Sequence, residues 1–348
     1  MNKKKILVIG TGGTIASVKT DEGLRPAYKT EELISFFPEV KAIATVEGMM
    51  LFSLDSTNIQ PHHWSKIAEE IKKQYDNYDG FVITHGTDTM QYTASALSFM
   101  LQNLNKPVVL TGSVKAIGAG SDAKQNFIDS VIVATSNIKE VCIVFHGKII
   151  KGCKARKVTN EATKTTNENL DVYSSINFHL MGEMIGTLKD NGQRKIVFNE
   201  KYDETTTKKD EKLNILTKIN PDRILMIKIY PGLKPEIFDY LTNFKALIIE
   251  AFGPGNIPFM ENSLLEKIKM LSDKNIPVFI GSQNPFGEVN MELYEVGRKA
   301  LNVGAIPCKD MTSETALVKL MWIIGNYGNN PDKIKELMQK NFIGEIRD

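Results

Sequence analysis

Three threonine hydroxyls and a carboxylate follow one apolar run and form the first group of residues that could do chemistry. Residues 84–90 read Thr-His-Gly-Thr-Asp-Thr-Met and come directly after the apolar run 80–83. A threonine hydroxyl can serve as an acyl-transfer nucleophile or a proton relay, and a neighbouring carboxylate can anchor an ammonium group. Open α/β sheets bind their ligands at the carboxyl ends of buried strands. The segment therefore predicts a site of this kind, with Thr87 and Asp88 as its first candidates.

A second threonine loop opens the chain. Residues 5–9 read as a strand and run into Gly-Thr-Gly-Gly-Thr-Ile at positions 10–15. The glycines permit close backbone approach, and successive N–H groups there can form an anion-binding concavity. Thr14 could attack a carbonyl while these N–H groups stabilise the oxyanion. The alternative is structural, because Thr14 and Asp88 could each cap a following helix.

Other short motifs make the sequence pattern of the two threonine loops more specific. Residues 54–58 read Leu-Asp-Ser-Thr-Asn, residues 111–113 read Thr-Gly-Ser, and Lys157 lies in a basic run. Together they resemble the bacterial-type L-asparaginase family, in its cytoplasmic (type I) branch, over nearly the whole chain. The resemblance implies a two-domain α/β fold, with a larger N-terminal, mostly parallel sheet flanked by helices and a smaller C-terminal α/β domain. It also implies cleavage of L-asparagine to L-aspartate and ammonia, with no cofactor.

The resemblance assigns roles to the chemical residues. It makes Thr14 the nucleophile that forms an acyl-enzyme, and it makes Thr87, Asp88 and Lys157 a hydrogen-bonded catalytic triad. A lysine acts as a base only where desolvation or nearby positive charge holds it neutral, so this role predicts a water-poor pocket. From the sequence alone, Lys157 would instead belong to a solvated basic run at 154–157.

A further set of residues is predicted to bind the substrate. Its members are Ser56, Thr57, Gly86, Ser113, Tyr28 and Glu288. In the resemblance, Ser56 and Thr57 match contacts to the substrate carboxylate and amino group, although an ordinary Asp-Ser turn is the alternative. Ser113 resembles a residue near the leaving amide. Glu288 resembles an acid that reaches the amino group of a neighbouring subunit's substrate.

The chain departs from the family pattern in three places. Many relatives carry a lid tyrosine that hydrogen-bonds the first threonine, where this chain has Leu24, with Tyr28 four residues on. Positions 114–116 read Val-Lys-Ala where relatives have glutamine, an aliphatic residue and proline. Residues 158–170 form a loop longer than in close relatives, directly after the triad lysine. The first change predicts that Tyr28 supplies the missing hydroxyl.

Charge and cysteine content limit the partners. The 348 residues include 43 basic and 41 acidic side chains, so no net field recruits nucleic acid or an anionic membrane. Cys142, Cys153 and Cys308 cannot all pair, which is typical of a reducing compartment. The apolar stretch after the first lysines is too short for a signal peptide. We therefore expect a cytoplasmic protein that acts on a small-molecule substrate and binds neither nucleic acid nor a membrane. The histidines have no acidic or cysteine partners at the spacing of metal ligands, so we also expect no metal.

The alternation of short apolar strands with amphipathic helices predicts βαβ units. Residues 61–75 predict a helix with its apolar side chains on one face, and residues 199–212 are charged and almost without apolar residues. The predicted domains are 1–200 (catalytic α/β domain), 201–213 (linker) and 214–348 (C-terminal α/β domain). The family assembles its sites at a dimer interface, so the resemblance implies a homodimer or homotetramer.

Two other classes of function compete with an amidohydrolase. The first is a dinucleotide-binding protein. Gly10 and Gly12 begin the glycine fingerprint of that class after a strand, but Ile15 occupies the third glycine position. The second is an RNA-linked relative, the asparaginase-like subunit of archaeal glutamyl-tRNA amidotransferase, which carries an extra N-terminal domain. This chain starts four residues before its first predicted strand. On that ground we expect an L-asparaginase rather than the amidotransferase subunit.

Overall fold

The structure is a computed structural model that divides into two compact units. They comprise residues Met1–Thr217 and Lys218–Asp348. The described residues are 3–21, 23–26, 28–118, 120–160, 171–187, 194–202 and 211–347. Most of the predicted linker, residues 203–210, lies outside this part of the chain, so the predicted domain limits stay a proposal.

Strands and helices alternate in both units over the described residues. The strands are β1 Lys5–Gly12, β2 Ser17–Thr20, β3 Gly23–Pro26, β4 Thr45–Leu54, β5 Gly80–Thr84, β6 Leu101–Gln102, β7 Val108–Thr111, β8 Val141–Phe145, β9 Lys148–Lys151, β10 Ala155–Lys157, β11 Tyr173–Ser175, β12 Gly182–Ile185, β13 Lys195–Phe198, β14 Asn214–Ile215, β15 Ile224–Lys228, β16 Ala246–Ala251, β17 Val278–Ser282 and β18 Ala305–Pro307. The α-helices are α1 Thr30–Ser35, α2 Val40–Ile43, α3 Pro61–Gln74, α4 Met90–Met100, α5 Ala123–Ala134, α6 Leu265–Asp273, α7 Glu295–Asn302, α8 Ser313–Tyr327 and α9 Pro331–Gln339. Short 3₁₀ helices span Thr14–Ala16, Ser56–Asn58, Tyr75–Asn77, Gly152–Lys154 and Pro235–Leu241.

The first unit contains an eight-stranded sheet in the order β13-β12-β9-β8-β7-β5-β1-β4. The strands β4, β1, β5, β7 and β8 run parallel, and β9, β12 and β13 extend the sheet with antiparallel pairs. Every residue of β5 and β8 is buried, which is typical of parallel strands covered on both faces. Because parallel strands end at one edge, the loops after β4, β1, β5 and β7 lie side by side.

The second unit is a four-stranded parallel sheet in the order β15-β16-β17-β18 with its own apolar core. The core contains Leu247, Ile249 and Ile280 from the central strands and Ile268 from α6. The predicted fold class, a large mostly parallel N-terminal sheet with a smaller C-terminal α/β unit, is therefore confirmed. Within the described residues, no helix is both long and apolar enough to cross a membrane.

Candidate active site

Glycines bring the loops at the edge of the large sheet into direct contact. A Cβ atom on Gly13 would lie 2.4 Å from the backbone nitrogen of Gly86, and one on Gly86 would lie 2.6 Å from Ser56 Oγ. Gly13 also has a φ of 85°, in the left-handed region that favours glycine. A side chain at either position would force apart the loops after β1, β4 and β5. Close packing between these loops thus explains one glycine in each threonine motif, Gly13 and Gly86.

Thr14 begins a single 3₁₀ turn directly after this contact. The capping position belongs to Gly13, and no side chain makes a capping hydrogen bond there. The structure therefore does not place Thr14 as a helix cap, which was the alternative interpretation. Its half-buried side chain stands one residue from the contact between the loops after β1 and β5. That position suits a nucleophile beside backbone N–H groups, and the role stays a prediction.

The structure brings Thr87, Asp88 and Lys157 together. Lys157 Nζ lies 2.9 Å from Thr87 Oγ1 and 2.6 Å from Asp88 Oδ1. The Lys157 side chain is only 13% exposed, whereas that of Asp88 is 54% exposed. Lys157 is thus not part of a solvated basic run, and Asp88 bonds the lysine while Thr89 occupies the cap position of α4. These contacts form one continuous hydrogen-bonded path from the hydroxyl through the amine to the carboxylate.

Ser56 connects the loop after β4 to the loop after β5. Its hydroxyl oxygen accepts a hydrogen bond from the backbone N–H of Asp88 at 3.2 Å, and its carbonyl accepts one from Thr89 Oγ1 at 2.7 Å. Thr57 is exposed, and its N–H and hydroxyl both donate to Asp55 Oδ1. This is the Asp-Ser turn of the alternative interpretation. Substrate contacts from Ser56 and Thr57 stay predictions.

The loop after β7 carries Ser113 and is fixed by two side chains without a predicted role, Asp122 and Asn126. Ser113 is buried, and its hydroxyl donates to the carbonyl of Lys115 at 2.7 Å. Asp122 accepts from two backbone N–H groups of this turn, and Asn126 Nδ2 donates to the carbonyl of Gly112 at 3.0 Å. In the sequence, the pattern that could have indicated this role is an acid and an amide four residues apart at the start of a helix, Asp122 and Asn126.

Two of the other candidates, Tyr28 and Glu288, have these local surroundings. The ring of half-buried Tyr28 packs edge to face on Phe36, with centroids 4.9 Å apart. Glu288 is exposed in a loop of the second unit, after β17. The side chain of Leu24 and residues 161–170 of the predicted long loop lie outside the described residues. In the part of the chain that is described, no cluster of three or more histidines, cysteines or acids is arranged to hold a metal ion.

His85 has a structural environment. It is fully buried, its Nδ1 lies 2.7 Å from the carbonyl of Gly86, and its Nε2 lies 2.9 Å from Thr93 Oγ1. A carbonyl only accepts, so Nδ1 carries the proton and Nε2 accepts from the threonine hydroxyl. Burial lowers the pKa of His85 to about 4, although the bond to Gly86 acts in the opposite direction. The ring is therefore neutral and both nitrogens are occupied.

The buried neutral histidine predicts a pH dependence of stability. Between pH 6.5 and the folded-state pKa of about 4, an unfolded histidine binds a proton that folded His85 does not. The contribution of neutral His85 to the free energy of unfolding is thus fully present above pH 6.5. It is lost as the pH drops towards 4, by about 3 kcal/mol at ~1.4 kcal/mol per pH unit. Urea unfolding of the wild type and His85→Gln should show this extra loss in the wild type alone. Parallel pH curves for the two proteins would contradict the assignment.

Comparison with known proteins defines the family. Residues 5–195 match the family model "Asparaginase, N-terminal", and residues 223–338 match "Glutaminase/Asparaginase C-terminal domain". The chain therefore belongs to the glutaminase/asparaginase family. The predicted membership of the asparaginase family is confirmed at this level.

Individual relatives fall into two groups. The L-asparaginase of Thermococcus kodakarensis superposes with a TM-score of 0.85 at 33% identity, covering 99% of each chain. L-asparaginase I of Vibrio cholerae superposes with a TM-score of 0.83 at 31% identity, covering 99% of this chain and 100% of the other. A subunit of the glutamyl-tRNA(Gln) amidotransferase of Pyrococcus abyssi is 39% identical over 349 residues, covering 98% of this chain and 76% of the relative.

The comparisons correct two predictions. Curated relatives at 35–39% identity over nearly the whole chain are amidotransferase subunits, so the prediction that the chain is an L-asparaginase is wrong. These relatives are named as subunits of an enzyme for a tRNA substrate. The prediction of a homodimer or homotetramer without nucleic acid is therefore also wrong. Near-zero net charge excludes a strong overall field, but it does not exclude action within a complex.

Proposed function

We propose that the chain is the ammonia-releasing subunit of a tRNA-dependent amidotransferase. Its site would split the side-chain carboxamide of a free amino acid and deliver the nitrogen for amidation of glutamyl-tRNA(Gln). The observation that carries the proposal is the path from Thr87 through Lys157 to Asp88, beside the Gly13–Thr14 turn. It occurs in a chain that is 39% identical to a subunit of a glutamyl-tRNA(Gln) amidotransferase.

The reaction follows from the chemistry of these groups. The Thr14 hydroxyl attacks the carboxamide carbon, and neighbouring N–H groups stabilise the oxyanion. The hydroxyl proton passes to the leaving nitrogen, which departs as ammonia and leaves an ester on Thr14. Water then attacks this ester and releases the free carboxylate. Thr87, Lys157 and Asp88 relay the protons in both steps.

The structure gives no support to the dinucleotide-binding alternative. That fingerprint requires a glycine loop that opens a helix, because the pyrophosphate binds at the helix N-terminus. Here the loop after β1 opens a 3₁₀ turn, Thr14–Ala16, and then the hairpin β2–β3. Gly12 and Gly13 serve the packing between loops instead.

A cytoplasmic location is part of the proposal, because a glutamyl-tRNA substrate is found where translation occurs. A relationship to the type I branch is proposed on the likeness to L-asparaginase I of Vibrio cholerae, at 31% identity. The nitrogen donor is the amide of glutamine or asparagine, the two side chains that carry a carboxamide.

The proposal is tested with the protein purified under mild conditions from its own cells. We expect a second subunit to co-purify, and we expect the complex to convert glutamyl-tRNA(Gln) to glutaminyl-tRNA(Gln) with L-glutamine or L-asparagine as donor. Ammonia release from each donor is measured in parallel. A homo-oligomer that releases ammonia but forms no glutaminyl-tRNA would contradict the amidotransferase part of the proposal. A protein that releases no ammonia would contradict the whole of it.

A further inference from the structure

Tyr173 contacts the triad from a position that the sequence did not reveal. It lies in β11 directly opposite Lys157 in β10. The side chain is fully buried, and its hydroxyl donates a hydrogen bond to the carbonyl oxygen of Thr87. The ring packs edge to face on Phe145, with centroids 5.3 Å apart. One two-stranded ribbon therefore reaches Thr87 twice, at its hydroxyl through Lys157 and at its backbone through Tyr173.

The peptide between Thr87 and Asp88 is held at both of its polar groups. Tyr173 bonds its carbonyl, and its N–H donates to Ser56 Oγ at 3.2 Å. A peptide unit is planar and includes both flanking Cα atoms, so fixing both groups fixes the positions of the Cα atoms that carry the two side chains. The Thr87 hydroxyl and the Asp88 carboxylate are the groups that meet Lys157.

The Tyr173 hydroxyl acts as a donor and not as a proton carrier. Burial, followed by the negative charge of Asp88, raises the pKa of Tyr173 well above its usual value. The phenol therefore stays protonated over the pH range in which an enzyme works. Its contact with Thr87 is to a carbonyl, which can only accept. The hydrogen bond from Tyr173 can therefore orient the loop after β5, but it cannot transfer a proton.

We propose that Tyr173 is a positioning residue of the triad. By holding the peptide between Thr87 and Asp88, it keeps both side chains within reach of Lys157 Nζ. The inference rests on the amide-splitting reaction proposed above. Because a displacement of about 1 Å can cost ~10²-fold in rate, one hydrogen bond to this peptide can control turnover without touching the substrate.

The variant Tyr173→Phe tests the inference, because it removes the hydroxyl and keeps the ring on Phe145. We expect kcat for ammonia release to fall by ~10–100-fold, with KM within about twofold of the wild type. The groups predicted to bind substrate are unchanged, so binding should persist. Because a smaller folded fraction would also lower the apparent kcat at unchanged KM, kcat is calculated per folded enzyme, with the folded fraction taken from thermal unfolding curves at the assay temperature.

Tyr75 offers a matched control. It is also buried, and its hydroxyl accepts a hydrogen bond from the backbone N–H of Asn105 at 2.7 Å, outside the triad contacts. Tyr75→Phe should lower the melting temperature comparably and leave kcat unchanged. The inference is overturned if Tyr173→Phe keeps kcat within about twofold of the wild type, or loses no more than Tyr75→Phe.

Failure of the inference differs from failure of the proposed function. An active wild type, with Lys157→Met inactive and Tyr173→Phe unaffected, would overturn the positioning role alone. A wild type that releases no ammonia from either amide would overturn the proposed function, and the positioning role with it.

Discussion

Replacing Thr14 by alanine is expected to lower kcat for ammonia release by ~10³-fold or more, with little loss of stability. The variant removes the proposed nucleophile, and no other hydroxyl occupies its place in the 3₁₀ turn. Thr14 makes no capping hydrogen bond in that turn, so the fold should not depend on it. The measurement is steady-state ammonia release together with thermal unfolding.

Thr135→Ala is the control for this experiment. The Thr135 hydroxyl donates to the carbonyl of Ile132 at the end of α5, at 2.7 Å, and its loss should leave turnover unchanged. Near-wild-type turnover in Thr14→Ala would contradict the nucleophile assignment. A large loss of thermal stability with unchanged specific activity would instead support a structural role.

Replacing Lys157 by methionine is expected to remove activity at every pH tested. The relay passes through its amine, which contacts both Thr87 and Asp88, and a lost proton-transfer group costs ~10²–10⁴-fold in rate. Methionine keeps a long, flexible side chain of related shape, so packing is largely retained. Ammonia release from pH 5 to 10 checks the prediction.

Lys151→Met is the matched control, since the Lys151 side chain is also 13% exposed and also pairs with a carboxylate, that of Glu140. It should destabilise the protein to a similar degree and retain its kcat. Arg156→Met, next to the triad lysine, should have a milder effect than Lys157→Met. Equal, modest losses in all three variants would show that only the local positive charge matters.

Most of the fold could be predicted because its strands and helices carry strong local patterns. The predicted helix 61–75 corresponds to α3, Pro61–Gln74, followed by a 3₁₀ turn, and the apolar run 141–145 is β8. The antiparallel additions β9, β12 and β13 were not predicted. They are short, and their place in the sheet depends on long-range pairing. Periodicity within a strand does not specify its neighbours.

The candidate site was predictable where glycine and threonine motifs stand at strand ends. Lys157 was identified only through the family resemblance, since its basic neighbours made it look like surface. Asp122 had only the weak signal of an acid and an amide four residues apart at the start of a helix, and Tyr173 had no local signal. Tyr173 meets Thr87 because three-residue strands pair in one register, and a contact between residues so far apart in the sequence leaves no local pattern.

The error in the predicted activity has a chemical explanation. The two threonine loops suit attack on a carboxamide, and this chemistry serves hydrolysis and nitrogen transfer alike. The fate of the ammonia depends on parts outside these loops. Motifs at the site therefore define the bond that is broken more firmly than the acceptor that receives the product.

The most direct test of the proposed mechanism is detection of the acyl-enzyme. The wild type is mixed with L-glutamine or L-asparagine, quenched in acid within milliseconds, digested and analysed by mass spectrometry. We predict that the peptide containing Thr14 gains the mass of the acyl group, and that Thr14→Ala shows no such gain. Acylation at Thr87 instead, or continued turnover with no acylated peptide, would contradict the mechanism.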